Sequence, residues 1–596
     1  MAPQNLLQLF AETVQTRSDS PCFRYKEEAR WNTLNWNEVF KKVLTLAGAL
    51  KKLGVKKGDR VSIFAQTRYE WTLADLAILS CGAVTVPIYQ SNLPDQAAYI
   101  IENAGARLIF AEDAAQLKKI DQVRHELPLL SQIILFDDGE TARKQEGIYS
   151  LEEVMLLGTE EEGRKIFEEM RDGLDGEADA SFVYTSGTTG PPKGAVLTHR
   201  NFLAELTALD AVFDFEPHHE SLIFLPLAHI LARVVQFAQL QRGFIQCYAE
   251  SIDKLLDDVR DVGPHLMASV PRIFEKIHTR VMQGVETSSD AKKKIFQWAL
   301  NVGHERARLM TAKKRLPLIL RLKWEAAFRL VFAKLHHKLG GRIKFFISGG
   351  APLSVEIGDF FHAAGFIILE GYGLTETTAA ITCNTLKDLK IGTVGKPLEG
   401  VEIKIAEDGE ILARGDVVFK GYYRRPEETA EALNSGGWFH TGDIGVIDAE
   451  GFLKITDRKK DIIVTAAGKN IAPQNIEGLL KTDPLISQVM VHGDRRKYLS
   501  ALITLDKNEV IQYAKSNRIS FQDYADLVEN EKIYDLIKQR IEEKNRHLAR
   551  YESIKKFAIL KDDFSVETGE LTPTLKVKRK FTSEKYKEVL DSLYQD

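Results

Sequence analysis

The segment with the clearest chemistry is Tyr184-Thr185-Ser186-Gly187-Thr188-Thr189-Gly190-Pro191-Pro192-Lys193-Gly194. Small residues let backbone N–H groups come close to phosphate oxygens, and the hydroxyls of Thr185, Ser186, Thr188 and Thr189 add donors. Lys193 supplies a point charge. A polyphosphate is the ligand such a loop suits. It is not the GxxxxGK[ST] loop, because Pro192 stands where the second glycine belongs and Gly194 where a magnesium-binding hydroxyl is needed. Kinase and GTPase loops of that type are thereby excluded. A shorter match would be no more telling than an ordinary flexible turn; all eleven residues together are.

The flanks require a strand on each side: Phe182-Val183-Tyr184 ends one and Ala195-Val196-Leu197 belongs to the next. Upstream, apolar residues at helical spacing predict a helix from Trp36 to Leu53 with Gly54 as its stop. A strand Arg60 to Phe64, a helix Tyr69 to Cys81 and a strand Val84 to Ile88 follow. Helices alternating with short apolar strands imply an α/β architecture with buried, largely parallel sheet. Gly-punctuated short strands from Gly395 to Tyr423 predict a smaller β unit. Between about Phe274 and Leu339 the pattern is helical, and from residue 292 onward it carries thirteen Lys and Arg against Glu305 and Glu325. Such a stretch is either a solvated face or a surface that leans on anionic lipid headgroups.

A chain of 596 residues exceeds what one core supports, so two or more domains are expected. The formal charge of −4 gives no global reason for a nucleic-acid partner. Four scattered cysteines, with no CxxC pair, indicate neither a zinc site nor a disulfide framework, which fits a reducing cytoplasm. No basic-then-apolar leader and no run of about 18 apolar residues occurs, so secretion and membrane spanning are not expected.

Further motifs follow the loop in a fixed order: Leu225-Pro226-Leu227-Ala228-His229, Ser348-Gly349-Gly350-Ala351-Pro352-Leu353, Gly371-Tyr372-Gly373-Leu374-Thr375-Glu376, Thr441-Gly442-Asp443, Asp457-Arg458-Lys459-Lys460-Asp461 and Leu571-Thr572-Pro573-Thr574-Leu575-Lys576. In these the chain resembles the acyl-adenylate-forming enzymes over nearly its whole length. Val270-Pro271-Arg272-Ile273-Phe274-Glu275-Lys276, the helical insertion and the ending from Gly569 to Lys576 resemble the long-chain fatty acid–CoA ligases among them.

The resemblance implies a fatty acid activated by ATP as an acyl-adenylate, then transferred to CoA with release of AMP and pyrophosphate, using Mg2+. It implies a large N-terminal domain, residues 1–457, of mixed and parallel sheets with helices and a β subdomain. A small mobile α+β domain, 458–596, would follow it, with Lys460 as the hinge. Thr375 is expected to donate to the α-phosphate, and Glu376, with Thr185, to hold magnesium. Asp443 is expected to accept both ribose hydroxyls, with Arg458 assisting. Gly350-Ala351-Pro352 and Gly371-Tyr372-Gly373 would flank adenine, Tyr372 stacking on it. Lys576 would bridge the carboxylate and the α-phosphate, and Lys193 with Ser186, Gly187, Thr188, Thr189 and Gly190 would grip the outgoing phosphates. His229 is read either as lying near the acyl and CoA entry or as a core histidine. Leu231-Ala232-Arg233 departs from the aromatic-Glu-Arg run that the long-chain pattern leads one to expect.

Three alternatives share parts of this chemistry: a ligase that loads a carrier-protein phosphopantetheine, a luciferase-like oxygenase, and a catalytically silent acyl- or nucleotide-binding protein. The absence of an appended carrier domain argues against the first, and the presence of Glu376 and Lys576 against the last. The cysteine usage fits a cytoplasmic protein, the basic helical stretch is the reason to expect peripheral contact at the inner face of a membrane, and homodimers occur in the family that the chain resembles. Acyl chain length is not legible.

Overall fold

A computed structural model of the chain describes residues 3–137, 146–185, 191–210, 212, 213, 215–466, 469–572 and 576–595. Ser186 to Gly190, five of the expected phosphate-loop residues, lie outside these.

The helices and strands expected near the N-terminus form as Trp36–Lys52, Arg60–Phe64, Tyr69–Ser80 and Val84–Ile88. Local chemistry explains the first: Asn35 accepts from the Glu38 backbone while the Glu38 carboxylate accepts from the Asn35 N–H, each at 2.8 Å. Leu53 and then Gly54, at φ 91°, end it.

Two large sheets carry the N-terminal part. One has eight strands, with Gly421–Tyr422, Lys193–Thr198 and Asp179–Thr185 at one side, followed by Val84–Ile88, Arg60–Phe64, Leu108–Ala111, Gln132–Leu135 and Ile148–Ser150. From Asp179–Thr185 onward its neighbours run parallel; the phosphate-loop flanks pair antiparallel, with Thr185 opposite Lys193. The other has nine strands, and its middle runs Ile368–Tyr372, Phe345–Ser348, Leu266–Ser269, Glu220–Ile223, Ile245–Tyr248, all parallel. Central strands such as Val84–Ile88 and Leu108–Ala111 are buried throughout, as parallel sheets covered on both faces require.

The β unit expected from Gly395 to Tyr423 is displaced. The four-stranded antiparallel sheet is Glu402–Ile405, Glu410–Arg414, Phe439–Ile447 and Leu453–Arg458. Lys396–Pro397 joins the nine-stranded sheet and Gly421–Tyr422 the eight-stranded one. Two-residue strands take their partners from tertiary packing, and glycine punctuation alone does not reveal them.

The helical stretch resolves into Pro271–Glu286, Asp290–Thr311, Leu318–Ala327, a π turn Phe328–Phe332 and Ala333–Lys338. After residue 458 the chain forms a sheet of Ile486–His492, Leu499–Leu505 and Ile554–Ile559, with helices including Pro473–Leu480 and Glu531–Asn545. These bury a core of their own around Ile476, Val489, Ile503 and Ile537. Polar ties to the larger part include Lys544 with Glu356 at 3.3 Å, Asn475 with the Thr456 carbonyl at 3.4 Å, and Gln283 with Glu509. All four cysteines are buried and free. No helix among the described residues is long and apolar enough to cross a membrane.

Candidate active site

Parallel strands deliver their following loops to one edge, and ligands of open α/β sheets bind outside those carboxyl ends. Glu220–Ile223 leads to Pro226-Leu227-Ala228-His229, Phe345–Ser348 leads to Gly350-Ala351-Pro352, and Ile368–Tyr372 ends in Gly371-Tyr372-Gly373. Sequence-distant motifs therefore meet on one edge of the nine-stranded sheet.

Gly373 shows how tightly the turn after it is folded. A Cβ there would lie 1.4 Å from the Ala379 carbonyl oxygen, so only glycine fits. Thr375–Thr377 is a single 3-10 turn, and Thr378 and Ala379 then take φ of 54° and 97°. Left-handed backbone at two successive non-glycine residues costs about 1–3 kcal/mol each and persists only when clamped. The clamps are Thr378 Oγ1 donating to the Val417 carbonyl at 2.7 Å and the buried Glu205 carboxyl accepting from Ala380 N at 2.8 Å. The strained turn presents Thr375, whose hydroxyl has no partner among the described residues, and Glu376.

Glu376 is buried, and burial pushes its pKa above the ordinary value. Tyr422 donates its hydroxyl to Glu376 Oε1 at 2.7 Å, and Lys193 Nζ lies 5.0 Å from the centre of the same tyrosine ring. Tyr422 pairs with Ala195 on the phosphate-loop strand. One side chain thus ties the carboxylate to the strand that begins with Lys193. Thr185, half-buried at the end of its own strand, is adjacent in the same sheet. Hard oxygens on a carboxylate and a hydroxyl, with room left for water, are the donor set magnesium prefers, and a cation would offset the desolvation of Glu376.

Thr441-Gly442-Asp443 forms a bulge opposite Ile411, where the register between Glu410–Arg414 and Phe439–Ile447 slips. Gly442 is at φ 72°, and Thr441 Oγ1 donates to the Ile411 carbonyl at 2.7 Å. Bulges re-aim side chains. Asp443 is aimed at Tyr372, whose hydroxyl donates to Oδ2 at 2.8 Å, and Arg458 directly opposite approaches Oδ1 at 3.4 Å. Burial raises the Asp443 pKa and Arg458 counters it.

Lys576 comes from the last domain. Two bonds tie it to Thr572: Thr572 N donates to the Lys576 carbonyl at 2.8 Å, and Lys576 N donates to Thr572 Oγ1 at 3.1 Å. The ammonium lies in the field of Arg458, Asp443 and Glu376, and burial and Arg458 lower its pKa to about 8 while the carboxylates oppose. It also bears on His229, whose pKa is pushed down to about 4, chiefly by burial. His229 Nδ1 accepts from Leu231 N at 3.2 Å and caps the helix Ile230–Arg242. The ring is therefore neutral, with its proton on Nε2. Arg233, in the run that departs from the long-chain pattern, is fully buried and pairs with buried Asp75 at 3.0 Å, with Trp71 and Phe237 against it.

Lys460 is exposed and has no side-chain partner among the described residues, whereas Lys459 is held by Asp408 at 2.6 Å and Glu410 at 3.0 Å. Sequence reasoning missed Tyr422, Glu205 and Glu370. The Glu370 carboxyl, raised by burial to about 8, accepts from Leu353 N and Gly392 N and so steadies the Gly350 loop. A surface cleft of about 880 Å3 near Arg200 and Asp416 is lined by none of the candidate site residues.

The AMP-binding enzyme family matches residues 10–423, and the AMP-binding enzyme C-terminal domain matches 460–596. The long-chain-fatty-acid–CoA ligase FadD15 of Mycobacterium tuberculosis is 37% identical over 95% of this chain and 92% of its own length. The human long-chain-fatty-acid–CoA ligase ACSBG2 is 31% identical over 99% and 92%. In fold the chain is similar to the adenylation domain of a Mycobacterium chelonae carboxylate reductase, with a TM-score of 0.79 at 22% identity, covering 100% of this chain and 92% of that one. Motif order, strand-end geometry and both matched regions agree: the chain belongs to the AMP-binding enzymes, and its relatives there include long-chain-fatty-acid–CoA ligases.

Proposed function

We propose that the protein activates a long-chain fatty acid with ATP and transfers the acyl group to CoA, and that the residues gathered around Glu376, Asp443 and Lys576 perform the first step. The observation that carries the reading is Lys576, brought by the last domain into the field of Asp443, Glu376 and Arg458. A carboxylate is a poor acyl donor because oxide would have to leave. Attack of its oxygen on the α-phosphorus breaks the bond to the β-phosphate oxygen, and pyrophosphate departs. The CoA sulfur then bonds to the acyl carbon as the carbon–oxygen bond to AMP breaks.

There is little covalent work for the protein in the first step, so it acts by position and charge. Lys576 offsets the repulsion between the fatty carboxylate and the α-phosphate. Thr375, its hydroxyl unengaged, donates to the α-phosphate. His229 offers its Nε2 proton as a neutral donor beside the acyl group. Asp443 keeps acceptor capacity for the ribose hydroxyls while Tyr372 and Arg458 fix its orientation. Gly350, Ala351, Pro352, Gly371, Tyr372 and Gly373 border adenine, and Lys193 with Thr185 and the loop to Gly190 grips the outgoing phosphates. Glu376 and Thr185 would hold magnesium, which when bound neutralises charge on the leaving pyrophosphate.

A domain division at 457/458 with Lys460 as pivot belongs to the same reading. Rotation there withdraws Lys576 and opens a second face for CoA. Peripheral contact with an anionic membrane and assembly as a homodimer complete it. Pyrophosphate release from ATP with palmitate, followed by thioester formation with CoA against a holo-carrier protein, tests the reading. Absence of turnover with CoA across chain lengths would remove it.

A further inference from the structure

The helix Leu318–Ala327 is apolar on two faces. Leu320 and Ala327 are buried, and Trp324 packs beside Phe332. Leu318, Ile319 and Leu322, with Leu330 on the π turn that continues the helix, face away at 70%, 69%, 65% and 65% exposure. Among the exposed large apolar side chains of the described residues only Leu156 is more exposed. At 100° per residue Leu318, Ile319 and Leu322 fall within one arc of the helix, and Leu330 follows on the π turn, so they form a ridge rather than a scatter. A second, exposed apolar face beside the buried one is more than a helix amphipathic toward one core carries, and contiguous exposed apolar surface marks an interaction site.

Charge indicates what covers the second side. Arg315, Arg321 and Lys323 flank the ridge and have no acidic partner among the described residues, whereas Lys313 is paired with Asp388 and Arg329 with Glu325. Apolar side chains rimmed by free cations are the pattern of a helix lying in the interface of a membrane that contains anionic lipid. A second copy on this face, related by a two-fold axis, would bring the same three free cations close to their own counterparts, which disfavours it.

We propose that the ridge Leu318, Ile319, Leu322 and Leu330 inserts into the headgroup–acyl boundary of an anionic bilayer, with Arg315, Arg321 and Lys323 on the phosphates. The proposal rests on the reading of the substrate as a fatty acid only for its purpose, since such acids partition into bilayers; the surface itself is argued from exposure and charge. It sharpens the contact expected from the basic insertion: attraction to lipid charge steers the protein, and apolar insertion retains it.

The test is flotation of the full chain with phosphatidylcholine vesicles, with and without phosphatidylglycerol, at low and high salt. Beside the wild type stand Leu318→Ser/Leu322→Ser and Arg321→Gln/Lys323→Gln, neither of which touches the candidate active site. The expected result is binding to the anionic vesicles, partly retained at high salt. It falls by about tenfold or more in the serine variant and loses its salt-dependent part in the glutamine variant. Pyrophosphate release with a water-soluble medium-chain acid should be unchanged in both. Equal flotation of wild type and serine variant, or none by the wild type, overturns the proposal. So does a wild-type dimer that the serine substitutions dissociate without any vesicle binding. Loss of turnover with the soluble acid in the wild type would instead strike the ligase reading and leave the flotation result standing.

Discussion

Replacing Lys576 by Met keeps most of the side chain's length and removes its charge. In the protein without substrate, that charge is unwelcome: burial and Arg458 lower its pKa from 10.5 to about 8. At 1.36 kcal/mol per pKa unit the lowering corresponds to roughly 3 kcal/mol against holding the ammonium there. Arrival of a carboxylate and an α-phosphate reverses the sign. One such charge at about 4 Å, with an effective dielectric constant near 20, is worth about 4 kcal/mol, or about a thousandfold in rate. Lys576→Met should therefore slow single-turnover pyrophosphate release by about that factor. Thioester formation from supplied acyl-AMP and CoA should stay within a few-fold of wild type, because the proposed rotation withdraws Lys576 for that step. Equal loss of both half-reactions would refute the two-arrangement reasoning, and undiminished adenylation would remove Lys576 from the site.

Three other outcomes are expected. The kcat/KM of adenylation should fall as pH rises through about 8, because Lys576 is charged below that value and neutral above it, and Lys576→Met should lack this limb. Tyr422→Phe removes the 2.7 Å bond to Glu376. It should raise the magnesium concentration for half-maximal pyrophosphate release several-fold, a loss of about 1 kcal/mol, and an unchanged magnesium response would detach Tyr422 from the metal-holding group. Arg233→Met should destabilise the fold by about 3–5 kcal/mol in chemical denaturation by leaving Asp75 buried and unpaired, while Asp75→Leu/Arg233→Met should recover most of that loss.

Local signals in the sequence carried far. The Trp36 helix follows from apolar spacing and is fixed by Asn35 with Glu38, all within a few residues, and the strands around the phosphate loop follow from their apolar runs. The site's linear motifs were legible because each is a loop at a strand end. What joins them was not. Tyr422 reaches Glu376 only because a two-residue strand adds to the sheet beside Ala195, and Glu205 reaches Ala380 across 175 residues of chain. Spacing within one segment records neither. The role expected of Asp443 came from its motif alone; its aim comes from a bulge whose register depends on Glu410–Arg414. The exposed ridge at Leu318 was hidden for a related reason: periodicity reveals which residues share a helix face, but not that both faces are apolar and only one finds a protein partner.

In the proposed reaction the fatty carboxylate oxygen attacks the α-phosphorus of ATP, so that an acyl-adenylate precedes the thioester. Palmitate labelled with 18O in its carboxyl group, supplied with ATP and CoA, tests it most directly. Attack on the α-phosphorus leaves one labelled oxygen per molecule of AMP and none in pyrophosphate. Label in pyrophosphate or orthophosphate, or AMP formed without label, would contradict it.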